Sequence, residues 1–202
     1  MNTRERIWRE ALRLFAEKGY EGVSVKEIAS AVGIKDSSIY NHYKNKQEIF
    51  DTILDECSMW VLKKRREIAI NDIPGNSERL TQKDILSMNL KFFEFFLTDE
   101  TAVLFRRMLI REQYMNPAAQ EVFYDIFVAA PMQKETQIFS KLMEKGHFQK
   151  TDPQMMALQF YSPVFVLLEL SREENPEDTE RIKERLLQHV TAFGEARIRQ
   201  KY

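Results

Sequence analysis

Cysteine, glycine and proline are scarce in this chain of 202 residues, which holds one Cys, six Gly and six Pro. The single thiol, Cys57, excludes an intramolecular disulfide framework and any zinc cluster built on cysteines, and it suits a reducing cytosol. So few glycines and prolines leave little material for a turn-dense β fold. Apolar runs are short as well. Pro163–Leu168 is among the longest, far below the ~18–20 residues a membrane span needs, so no membrane partner is expected. Met1–Arg13 carries four arginines and no apolar stretch, which predicts no secretory signal and a cytoplasmic location. Histidine is limited to His42, His147 and His189, with no His-x-x-x-His pair, and neither a phosphate-cradling glycine loop nor Gly-x-Ser-x-Gly occurs. The expectation is therefore a non-enzyme without a cofactor or metal. Thirty Lys+Arg against 31 Asp+Glu give a net charge of −1, so any nucleic-acid surface must be local.

What remains is 44% hydrophobic and 30% charged, enough to build a core, and it is punctuated by helix-start signals. Asn2 with Glu5, Ser24 with Glu27 and Asn45 with Glu48 each place a short acceptor three residues before a carboxylate, the capping-box arrangement. Asn116-Pro117, Asp152-Pro153 and Asn175-Pro176 each put a capping side chain before a proline suited to the first helical position. These signals predict an all-α protein with helices at about 3–18, 25–32, 37–43 and 46–70. Beyond a break at Pro74-Gly75 they predict longer helices at about 81–97, 99–114, 117–145, 153–171 and 176–200. The first 50 residues hold nine Lys+Arg against seven Asp+Glu, leaving 21 against 24 for the rest. The slight basic excess lies where the helices are short.

Val25–Tyr43 has the helix-turn-helix pattern. Ala29 is small where two helices approach, Gly33 permits the turn, and Ile28, Val32, Ile34 and Ile39 supply inner faces. Ile7, Ala11, Leu12 and Phe15 of the first helix add a third wall.

The stretch Ile34–Lys46, ending Tyr40-Asn41-His42-Tyr43-Lys44-Asn45-Lys46, resembles the tetracycline-repressor-like (TetR/AcrR) family of transcriptional regulators. The likeness covers roughly residues 3–50 and includes Leu14-Phe15, Gly19-Tyr20, Val23-Ser24-Val25 and Ile28-Ala29. The resemblance implies a helix-turn-helix DNA-binding domain over 1–48, joined by its fourth helix to a larger ligand-binding and dimerisation domain over 49–202. It implies phosphate contacts at Tyr40, His42 and Lys46, and a basic contact at Lys26, all side chains able to donate to phosphate oxygens. Lys44 is a further candidate. Lys35, Asp36, Ser37, Ser38 and Asn41 stand at the leading end of the third helix, where side chains meet base edges in the major groove. Ser37 stands where the family often has Gly or Pro. Asp36 either caps the third helix or accepts from a cytosine amino group.

Beyond residue 50 the likeness is architectural. Phe92, Phe96, Phe105, Met108, Phe123, Phe127 and Met132 are soft, large groups that either fill a core or line a pocket for a small apolar ligand. Nothing in the sequence chooses a polar partner among Asn89, Arg106, Arg111, Gln113 and Gln159. Pro131 and Pro163 interrupt helical patterns and predict kinks. The run Lys63–Arg66 reads as a solvated face, and Cys57 as an inert buried thiol. By resemblance, Phe160, Val164, Leu167 and Leu168, with Ile182, Leu186, Val190 and Phe193, form a four-helix homodimer interface. Two-fold symmetry would set two recognition helices about 34–36 Å apart and so fit a near-palindromic operator in double-stranded DNA. The expected function is a repressor released by its ligand. The alternatives are a regulator whose C-terminal bundle serves only dimerisation or a protein partner, and, more remotely, a helical enzyme.

Overall fold

Side-chain caps decide where the helices begin. In the computed structural model, which describes residues 1–71, 82–146, 148–171 and 176–197, both ends of two predicted capping boxes are made. Asn2 and Ser24 accept the N–H groups of Glu5 and Glu27, whose carboxylates reach back to the cap N–H groups, and these start α1 (Thr3–Lys18) and α2 (Val25–Val32). The third box is half-made. Asn45 accepts from Glu48 N–H at 2.8 Å, but the Glu48 carboxylate turns to Lys44 N–H as α4 (Lys46–Asn71) begins. Between them α3 spans only Asp36–Ile39, shorter than the expected 37–43. The N–H groups of Asn41 and His42 fall back three residues, onto Ser38 and Ile39, the tightening by which a helix end satisfies its last groups.

The later helices are α5 (Gln82–Thr98), α6 (Glu100–Glu112), α7 (Pro117–Tyr124), α8 (Ala130–Glu144), α9 (Pro153–Leu170) and α10 (Pro176–Arg197). Asn116 caps α7 by accepting from Ala118 and Ala119, and Asp152 caps α9 by accepting from Gln154. Among the described residues no β-strand forms, and no helix is long and apolar enough to cross a membrane. The Pro74-Gly75 break, His147 and the Asn175 cap lie outside the described residues.

Two compact units share the chain: Met1–Leu62 with Glu100–Tyr124, and Lys63–Asp99 with Asp125–Tyr202. The first holds the whole of the 1–48 segment and adds the start of α4, α6 and α7. Its core includes Ile7, Leu12, Phe15, Ile28, Ile39, Ile49, Phe50 and Ile53, all at 0–1% exposure. Cys57 is buried there, and burial pushes its thiol pKa well up, as for an inert cysteine.

The corner after α1 is fastened from three sides. Glu112, buried on α6, accepts Tyr20 N–H at 2.7 Å. Lys46, at the start of α4, donates to the carbonyls of Tyr20 and Val23 at 2.8 and 2.9 Å, with its ammonium 4.0 Å from the centre of the Tyr20 ring. The Tyr20 ring packs in turn on Phe15 and Phe50, with centroids 5.6 and 5.1 Å away. Gly19 makes the corner possible: its φ of 77° suits glycine, and a Cβ there would sit 3.1 Å from Glu112 Oε1. Arg111 adds a bond to the Ala16 carbonyl at 2.8 Å.

In the second unit the predicted single helix over 117–145 is interrupted by a π-helical turn, Asp125–Ala129. Pro131 explains it. A regular helix would satisfy the Phe127 carbonyl with the N–H of residue 131, which proline lacks, and the Tyr161 hydroxyl donates to that carbonyl instead at 2.7 Å. The neighbouring Ile126 carbonyl accepts from Arg65 at 3.1 Å. By contrast α9 continues through Pro163. The core centres on Phe139, whose ring lies 5.6–5.9 Å from those of Phe148, Phe160 and Phe193. Phe160, Val164, Leu168, Ile182, Leu186, Val190 and Phe193 are 1–8% exposed within this one chain. They are its own core and not available to a partner, a correction to their reading as interface. Leu167 is half-buried. Among the outward positions of α9 and α10 are the apolar Val166, Leu170 and Leu187, each more than half exposed.

Urea titration separates the weights of these interactions. Glu112→Ala strands the Tyr20 N–H and is expected to cost about 1–3 kcal/mol. Phe139→Ala opens a cavity and is expected to cost about 3–5 kcal/mol. Tyr161→Phe removes only the hydroxyl bond to Phe127 and is expected to cost about 1 kcal/mol.

Candidate functional site

The turn of the helix-turn-helix is closed by Gly33 in the left-handed conformation, φ 76° and ψ 36°. Its N–H returns to the α2 carbonyl of Ser30, and Ile34 N–H returns to Ala29 at 3.0 Å. Arg6 reaches across from α1 to the Val32 carbonyl, fixing the end of α2. The chain then enters α3 with Lys35, not Asp36, at the cap position and with no side-chain cap bond. Asp36 is the first helical residue, and its carboxylate accepts Ser37 N–H at 3.0 Å. Of its two sequence readings, the capping one is therefore replaced by an exposed carboxylate one position further in.

Two buried side chains hold the surface of α3 in place. Ile39 is 0% and Tyr43 2% exposed, and Arg4 lies against the Tyr43 ring, 5.3 Å from its centre, while donating to its hydroxyl at 3.4 Å. Burial raises the Tyr43 pKa, and Arg4 opposes that shift. With those two anchors inside, Lys35, Asp36, Ser37, Tyr40, Asn41, His42 and Lys44 are exposed, Ser38 is half-buried, and Lys26 is exposed on α2. Tyr40, at 57%, is a large aromatic left in water. This continuous polar surface carries lysines, hydroxyls, an amide and an imidazole, donors suited to phosphate oxygens and base edges.

Lys46 differs from the other basic candidates. Two of its three N–H groups are spent on the Tyr20 and Val23 carbonyls, so it braces the motif. Sequence reasoning missed Glu112 and offered Arg111 only as a polar candidate for the pocket; both stand more than ninety residues from their partners in the chain. Only three-dimensional proximity reveals them.

The pocket candidates separate. Phe92, Phe96 and Phe127 line a small cavity of about 50 Å³ in the second unit, with Phe93, Phe160, Arg65, Lys134, Glu135 and Tyr161 among the other lining residues. Phe105 and Met108 do not: both are fully buried in the core of the first unit, where half-buried Phe123 also lies. Met132 lines a separate open groove beside Met155 and Leu158. Of the polar candidates, Arg106, Arg111 and Gln113 belong to the first unit, Gln159 is exposed, and the Asn89 side chain lies outside the described residues. The polar lining comes instead from Arg65, Lys134, Glu135 and Tyr161. Arg65 was legible only as part of a basic run. Its guanidinium is half-buried, 4.7 Å from the centre of the Phe92 ring, and burial pulls its pKa below the ordinary value.

Comparison with known proteins agrees with this geometry. Residues 7–53 match the model of the family described as bacterial regulatory proteins, tetR family. Over 54 residues the chain is 41% identical to the biofilm operon icaADBC HTH-type negative transcriptional regulator IcaR of Staphylococcus epidermidis, covering 27% of this chain and 29% of that protein. The match thus spans less than a third of IcaR. Across nearly the whole chain the fold is that of the ketosteroid transcriptional regulator KstR2 of Mycobacterium tuberculosis, with TM-score 0.70, 18% identity, and coverage of 98% of this chain and 96% of that one. It is equally that of SmeT in complex with triclosan, with TM-score 0.69, 18% identity, and coverage of 98% and 92%. SmeT is the repressor of a Stenotrophomonas maltophilia multidrug efflux pump. Residues 7–53 are thus similar to the tetR family of bacterial regulatory proteins, and nearly the whole chain has the fold seen in KstR2 and SmeT.

Proposed function

We propose that this chain is a homodimeric repressor that binds a near-palindromic operator and leaves it when a small, largely apolar ligand binds. The observation that carries the DNA-binding part is the surface around α3: Tyr40, Asn41, His42 and Lys44 exposed in one turn while Ile39 and Tyr43 anchor it from within. The similarity of residues 7–53 to a negative regulator, IcaR, favours repression. In this reading Lys26, Tyr40, His42 and Lys44 grip phosphates, and Lys35, Asp36, Ser37, Ser38 and Asn41 meet base edges. Lys46 supports them from behind.

Dimerisation is assigned to the outward face of α9 and α10, where Val166, Leu170 and Leu187 leave apolar surface in water. Ligand release is supported by the phenylalanine-lined cavity and by the binding of triclosan to the structurally similar SmeT. A hundredfold loss of operator affinity needs only about 2.7 kcal/mol of preference for the non-binding conformer. The cavity's volume of about 50 Å³ is well below the ~300 Å³ of a typical ligand pocket. Its small size favours a second reading, in which the bundle serves dimerisation alone.

Fluorescence anisotropy against the chain's own upstream DNA and a scrambled duplex, over a salt series, tests the first part. Selective binding is expected, with His42→Ala and Tyr40→Phe weakening it. Lys44→Ala is expected to lower the log–log salt slope by about 0.9 for each phosphate that the protein no longer neutralises. Equal, weak binding to both duplexes at physiological salt refutes it. For assembly, the double substitution Val166→Asp and Leu187→Asp is expected to yield a folded monomer by light scattering with unchanged helical circular dichroism. A dimer that survives it moves the interface elsewhere.

A further inference from the structure

Lys35 and Asp36 stand side by side where the chain enters α3, Lys35 in extended backbone and Asp36 as the first helical residue. Both are exposed, and although their charges are opposite neither forms an ion pair with a described residue. The Asp36 carboxylate spends one oxygen, Oδ1, on the Ser37 N–H and leaves the other to a ligand. It is the one carboxylate between Ile34 and Lys46, set among lysines, hydroxyls, an amide and an imidazole. Ile39, three residues on and fully buried, fixes the stretch that carries both charges.

A surface that grips a polyanion is weakened by a carboxylate, because each phosphate nearby repels it. Only a hydrogen-bond donor on the DNA offsets that repulsion, since a carboxylate accepts and does not donate. In the major groove the donors are the amino groups of cytosine and adenine. Adenine carries its amino group beside N7, an acceptor whose lone pair opposes a carboxylate. Cytosine presents its N4 amino group with no acceptor of its own beside it. The guanine paired with that cytosine presents O6 and N7, both acceptors and both suited to an ammonium. A C·G pair therefore shows a donor next to acceptors on one edge. That is the complement of the acceptor and the donor that Asp36 and Lys35 set next to each other.

Resting on the DNA-binding reading above, we propose that Lys35 and Asp36 together select one C·G base pair in each operator half-site: Asp36 accepts from the cytosine amino group, and Lys35 donates to the guanine paired with it. The carboxylate also acts against other sequences, where its repulsion stands without the bond.

The test is selection by the full chain from a pool of duplexes randomised over roughly two helical turns. Anisotropy then follows on the selected duplex, its single-base variants and a scrambled duplex. The unaltered protein is expected to favour C·G over each other pair at one position per half-site by about tenfold. Asp36→Asn keeps the shape but exchanges an acceptor-only head for one that donates and accepts, the pattern that the N7 and amino group of adenine match. It is expected to switch that one position from cytosine to adenine and leave the rest of the site unchanged. It is also expected to bind scrambled DNA several-fold more tightly, because a negative charge is gone. Lys35→Ala is expected to relax the preference at the same position. Both residues lie outside the core, so the variants are expected to fold, which helical circular dichroism checks. The proposal is overturned if Asp36→Asn leaves the preferred base unchanged at every position, if it tightens selected and scrambled duplexes equally, or if Lys35→Ala relaxes a different base pair. Should the unaltered protein select no sequence from the pool, the DNA-binding reading itself falls. Should it select a site that neither substitution alters, that reading stands and the assignment of Lys35 and Asp36 falls.

Discussion

The exposed surface of α3 depends on how the chain turns at Tyr20. That residue uses its N–H on Glu112, its carbonyl on Lys46 and its ring against Phe15 and Phe50. Three helices of one compact unit, α1, α4 and α6, therefore meet on one peptide. A corner held by backbone hydrogen bonds to charged side chains is stiff, because a buried N–H or carbonyl that loses its partner costs more than the bond contributed. The position of α2 and α3 relative to α1 inherits that stiffness. Lys46 is the clearest case of a residue whose chemistry suits DNA but whose geometry serves the scaffold: a phosphate contact in its place would have to break two bonds that keep the motif in shape.

How much of this was legible in sequence follows from range. The starts of α1 and α2 are local contests between a few backbone N–H groups and the nearest side-chain oxygens, so Asn2, Glu5, Ser24 and Glu27 announced them. Gly33 likewise marked the turn. The α3 surface was readable because the Tyr40–Lys46 pattern resembles a known family and because Ile39 was an inner-face residue, whereas the burial of Tyr43 was not foreseen. The Glu112 and Arg111 latches were not readable, since no local rule ties residue 112 to residue 20. Nor could periodicity tell an interface from a core. The stripe Phe160, Val164, Leu168 and the stripe Ile182, Leu186, Val190 are apolar for the same reason in either case, and only burial within one chain assigns them. The aromatic residues of 92–132 split between two cores on the same grounds.

Pro131 shows a break in a helix being put to use. Sequence alone predicted a kink, and the outcome is a π-helical turn that leaves two carbonyls for side chains from elsewhere in the second unit, Tyr161 to Phe127 and Arg65 to Ile126. Those two bonds bracket the phenylalanine-lined cavity.

Native-state hydrogen exchange at the Tyr20 amide tests most directly whether the corner is the constraint on which the motif depends. Locked by Glu112 and Lys46, that amide should exchange only through global unfolding, with the same opening free energy as the Phe50 amide in the core, and Glu112→Ala should release it to local exchange while Phe50 stays protected. Fast exchange at Tyr20 in the unaltered protein, with Phe50 still protected, would show that the corner opens on its own and that the α3 surface is held by something else.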